Sequence, residues 1–136
     1  MNINFDEHTS MEDIQSSFHE QYPYLKLEFY RHPHLQGEAS WFNDKLGKQS
    51  LVKKEASMTG NQSINAGGNQ TVADFESEFF QKTGIAVQVM RFSGRVWIQT
   101  TETDDWTLQQ QNEKGYEDSK LTVPDKPEDF DLQEDD

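Results

Sequence analysis

Sliding the chain against itself by 61 residues lays Asn2 to Pro23 over Ser63 to Gly84 without a gap, and this self-similarity constrains the fold most. Ile3, Asn4, Asp13, Ser16 and Phe18 meet Ile64, Asn65, Asp74, Ser77 and Phe79 as identities. Ser10, Met11 and Ile14 meet the similar Thr71, Val72 and Phe75. The matched positions are those that shape secondary structure, so one skeleton is written twice.

Each copy opens with alternating apolar residues, Ile3 and Phe5 in Asn2 to Phe5, Ile64 and Ala66 in Ser63 to Ala66, the period of a half-buried strand. Ser10 and Thr71 then stand as N-caps, with Asp13 and Asp74 three residues on at the positive helix end. Met11, Ile14, Phe18 and Tyr22 recur at helical spacing, as do Val72, Phe75 and Phe79, giving each helix one apolar stripe. Pro23 cannot continue a helix, and Gly84 permits a left-handed cap.

A strand follows in both copies. Leu25, Leu27 and Phe29 alternate with Lys26, Glu28 and Tyr30; Ile85, Val87 and Val89 alternate with Ala86, Gln88 and Met90. Ser93-Gly94 reads as a two-residue hairpin loop between Val87 to Phe92 and Arg95 to Thr101. The first copy returns more loosely, through residues 32–37 into Ala39 to Phe42. A last helix, capped by Asp104 or Thr103 and anchored by Trp106, is expected from about Asp105 to Lys114, with Gly115 as its stop.

The expected architecture is α+β: two β-α-β-β units, residues 1–43 and 63–116, joined by a connector over 44–62. The strands before and after each helix should run parallel, adjacent or one strand apart, because a strand-helix-strand crossover is right-handed. A mixed sheet with both helices on one face follows, since two separate lobes of this size would bury too little surface. Residues 117–136 carry nine acidic residues, two lysines, Pro124 and Pro127, and read as a disordered acidic tail.

The absence of cysteine removes disulfides, thiolate metal sites and thiol nucleophiles, and permits a cytoplasmic setting. No apolar run approaches the roughly 18 residues of a spanning helix, so no membrane partner is expected. The net charge of −13 repels phosphate backbones, and the one lysine cluster, Lys45, Lys48, Lys53 and Lys54, is flanked by Asp44 and Glu55. No direct nucleic-acid contact is expected.

His32 and His34 flank Pro33 and, with His8 or His19, have the chemistry to hold zinc or nickel, although a polar turn explains them as well. Asp104 and Asp105 resemble a paired-carboxylate or cation site, against the simpler role of acids at a helix start. Arg91, Arg95, Trp97 and Trp106 could form a partner-binding face, against plain packing of the two indoles. Gly67-Gly68 follows a strand and precedes a helix but belongs to no phosphate-loop motif. No catalytic residue, metal site or cofactor is assigned.

The stretch from Thr71 to Glu76, with Val87-Gln88-Val89, Arg91, Ser93-Gly94, Trp97, Thr100-Thr101, Thr103 to Leu108 and Gln111-Asn112, resembles a family of small uncharacterised bacterial proteins. Their N-terminal unit is similar to Ser10 to His34, including Tyr24 to Phe29. The resemblance covers most of residues 2–112, implies the two-unit architecture and carries no activity. The reading favoured on sequence is therefore a non-enzymatic interaction or assembly module for a protein partner. The alternatives are an acidic decoy of a nucleic-acid-binding protein and a small hydrolase or metal-dependent enzyme.

Overall fold

The computed structural model describes residues 1–30, 45–46 and 60–122, the last two as helical backbone alone. The strands are β1 (Asn2–Phe5), β2 (Leu25–Tyr30), β3 (Gln62–Asn65), β4 (Ala86–Ser93) and β5 (Val96–Gln99). The helices are α1 (Met11–Gln21), α2 (Val72–Thr83) and α3 (Leu108–Thr122). The fold is α+β, and among the described residues no helix is long and apolar enough to cross a membrane.

The expected single mixed sheet is replaced by two antiparallel ones, β1-β3 and β2-β4-β5. Ile3 lies opposite Ile64, and Glu28 opposite Gln88. The reason β1 and β2 are not neighbours is α1. Gln15 Nε2 donates to Leu27 O at 2.9 Å and His19 Nδ1 lies 2.8 Å from Leu25 O, so the helix occupies the outer edge of β2. Farther along that edge Leu46 N donates to Phe29 O and Lys45 bridges to Tyr30.

Both helix starts form as their sequences require. Ser10 accepts from Asp13 N and Thr71 from Asp74 N, each at 3.1 Å, satisfying one orphan donor apiece. Gly84 takes the left-handed cap at φ 77°. The stripes of α1 and α2 meet Leu25, Leu27, Phe29, Val87 and Val89 in one core with Ile3, Phe5 and Ile64. Phe79, fully buried, stacks near Phe5 and Phe29 with centroids 5.6 and 5.5 Å away, and Phe18 meets Phe75 at 5.3 Å. Each such ring contributes on the order of 2–3 kcal/mol by burial. Tyr22 Oη ties the end of α1 to Ala66 O at 2.6 Å.

The second half departs from expectation in three places. The hairpin loop is Gly94-Arg95, one residue later than read, with Gly94 at φ 70° taking the left-handed position, and β5 ends at Gln99. Residues 104–107 do not begin a helix. Thr101–Thr103 form a single 3-10 turn, and after it Asp104 O and Trp106 O accept from Ala73 N and Val72 N at 2.7 and 2.9 Å, so this turn lies against the start of α2. In return the 68–70 loop accepts the first donors of α3, Leu108 N to Gln70 O and Gln109 N to Gly68 O. Thr107 and Gln110 then bond reciprocally, a capping box that starts α3 at Leu108.

Gly115 is the third correction. It lies inside α3, and a Cβ there would stand 2.8 Å from Tyr24 Cβ and 3.2 Å from Phe92 O, so it is a close-approach residue rather than a stop. The helix crosses the ends of β2 and β4, where Asn112 Oδ1 accepts from Tyr24 N and Tyr116 meets the Tyr24 ring edge-on. Residues 117–122 of the expected tail are thus helical; the rest of it, the Ala39 to Phe42 return and most of the connector lie outside the described residues.

Candidate interaction surface

The residues singled out in the sequence fall in separate places. His32 and His34 lie outside the described residues. His19 has its ring nitrogen on Leu25 O and its ring 6.0 Å from Trp97. Among the described residues no group of three His, Asp or Glu side chains is placed to hold a metal ion. Asp104 is buried and Asp105 exposed, so the two carboxylates do not form one site.

Arg91, Arg95, Trp97 and Trp106 do not share a face. Arg91 is buried, donates to Gln111 Oε1 at 2.6 Å and lies 5.6 Å from the Trp106 ring. Gln111 in turn donates to Thr103 O and Oγ1, so this polar network fastens α3 to β4. Trp97 belongs to the opposite sheet face, with Tyr24 and Phe92, and Lys26 Nζ lies 5.0 Å from its ring. Arg95 is exposed at the hairpin tip.

Two features escaped the sequence reading. All six residues of β2 are buried, including Lys26 and Glu28, which pair with each other at 3.6 Å while Glu28 also pairs with Lys45. Alternation had marked their face correctly but not its burial. The second is Glu76, whose Oε2 accepts from Val89 N at 2.9 Å beyond the end of β5. Burial, and secondarily the charge of Asp104, pushes its pKa up to about 8, while the Val89 hydrogen bond acts the other way.

The surface open to a partner lies along β1. Ala66 N donates to Met1 O at 2.9 Å, which makes that a hydrogen-bonded pair. In an antiparallel ladder such pairs alternate, so Ile3 and Phe5 also turn their backbone groups toward β3. Asn2 and Asn4 therefore direct their N–H and C=O groups outward. Both residues are exposed, and among the described residues no strand pairs with this edge.

Helical geometry gives this edge a wall. With Met11, Ile14 and Phe18 buried, one flank of α1 carries Gln15 and His19 onto β2, and the other carries Asp13, Ser16, Ser17, Glu20 and Gln21. That second flank and residues 1–4 enclose an open hollow of about 640 Å³, room for several residues of an extended chain. Asp13 and Glu20 are exposed, and among the described residues no Lys, Arg or His side chain lines the hollow. A second hollow, of about 560 Å³, borders Asn4 and Phe5 beside Thr9 and Asn61.

The second half treats the corresponding edge differently. Ser63, aligned with Asn2, turns its carbonyl outward from β3, and Lys82 Nζ donates to it at 2.8 Å. Lys82 also pairs with Glu78 at 3.0 Å on the same helix flank. The aligned residues of α1 are Gln21 and Ser17. One strand edge is thus sealed by a lysine of its own helix, and the other is not.

Comparison with known proteins gave no matching family model, no matching curated protein and no matching solved structure.

Proposed function

We propose that this protein is a non-enzymatic interaction module, built from two duplicated units, that binds a protein partner by strand addition at β1. The outward backbone groups of Asn2 and Asn4, facing the hollow walled by α1, carry this reading. An open strand edge offers main-chain hydrogen bonds to any extended segment, and a groove beside it supplies selection of side chains. The duplication is supported by the pairing of β1 with β3, in which the aligned Ile3 and Ile64 lie opposite each other, and by the matching Ser10 and Thr71 caps.

The test compares affinity capture from cell lysate by the natural chain and by Asn4→Pro. Proline deletes the outward N–H without removing a bond to β3, and edge strands tolerate it in such a position. A partner retained by the natural chain and lost with Asn4→Pro, at unchanged thermal midpoint, is the expected result. The same retained set from both proteins would overturn strand addition at β1.

A further inference from the structure

Resting on that reading, we infer that the segment added to β1 is basic, an extended peptide whose lysine or arginine side chains, alternating along it, face Asp13 and Glu20 on α1. Three observations converge. Among the described residues the edge of β1 is open at Asn2 and Asn4, the side chains lining the hollow beside it include two carboxylates and no cationic group, and the aligned edge of β3 already holds a lysine. In that second position the ammonium takes Ser63 O from outside and pairs with Glu78, a direct view of the side-chain chemistry that fits between this kind of strand and this kind of helix. Gln21 and Ser17, standing where Lys82 and Glu78 stand in the alignment, supply no such ion pair to the first groove.

The spacing is compatible with the inference. Asp13 and Glu20 are two helical turns apart, about 10 Å along the axis. Alternate side chains of a strand are about 7 Å apart, so successive wall-facing lysines, with their flexible stems, reach both carboxylates. A second copy of this chain is a poorer occupant, because its own β1 edge would bring another pair of acids into the same hollow.

The experiment is an amide-resolved NMR titration of the full chain with a blocked nonapeptide alternating lysine and threonine, repeated with glutamine and with glutamate in place of lysine. The expected result is shift changes centred on residues 2–5 and the Asp13-to-Gln21 flank, with the lysine peptide binding about tenfold tighter than the glutamine one. Asp13→Asn with Glu20→Gln should abolish that preference while leaving the fold intact. Ser17→Glu with Gln21→Lys should seal the groove and weaken the lysine peptide by about tenfold.

Equal binding of the lysine and glutamine peptides at residues 2–5 would overturn the basic segment but leave strand addition standing. No change at residues 2–5 with any peptide would overturn both. Shifts centred on Val96–Gln99, or spread over the acidic surface, would also overturn the inference. So would a dimer in sedimentation that Asn4→Pro dissolves, which would make a second copy the occupant.

Discussion

Glu76 shows how one buried side chain couples the fold to pH. Its pKa rises from 4.5 to about 8, first by desolvation and then by Asp104. Between these values the folded chain holds a proton that the unfolded chain has released. The stabilising contribution is therefore complete below about pH 4.5 and is lost as the pH rises to about 8, at a slope of up to about 1.4 kcal/mol per pH unit. Glu76→Gln keeps an oxygen for Val89 N and removes the titration. Its urea midpoint should rise relative to the natural chain between pH 5 and pH 8; parallel midpoints at both pH values would contradict the assignment. Nothing in the sequence marks Glu76, because its environment comes from β4 and residue 104, both remote along the chain. The caps Ser10 and Thr71 were legible, since a cap is a bond between residues three apart.

Elements were legible as far as their causes are local. The apolar stripes of α1 and α2 and the alternation of β2 and β4 follow from the periods of helix and strand. Strand partners do not, because alternation specifies a face and not a neighbour. β1 therefore pairs with a strand some sixty residues away, while α1 takes the position beside β2 that a parallel crossover would have filled. Gly115 was misread for the same reason: as a letter it is a helix stop, and only the approach of α3 to Tyr24 and Phe92 explains it. Gly115→Ala should strengthen the intrinsic helix slightly yet destabilise the protein by about 1–3 kcal/mol through the Tyr24 contact. Denaturant unfolding measures this, and a stabilised variant would contradict the packing of α3 over the sheet.

At the scale of the molecule the two halves interlock through β1-β3 and β2-β4, and the starts of α2 and α3 bond to each other's loops. That arrangement uses most strand edges internally. Helix α1, Leu46 and Lys82 occupy others, and the first strand is left with an outward row of backbone groups above a hollow. β5 also ends its sheet, with Val96 54% exposed, and is the competing site. The candidate surface was only half legible: the residues of β1 and α1 were placed correctly, but which edge stays open depends on pairings set by distant chain. Hydrogen exchange of the protein free and bound to a captured partner tests this most directly. The account predicts fast exchange at Asn2 and Asn4 in the free protein and protection of these two amides in the complex, alternating with Ile3 and Phe5, which β3 already protects. Protection at residues 96–99 instead, or no change at residues 2–5, would contradict it.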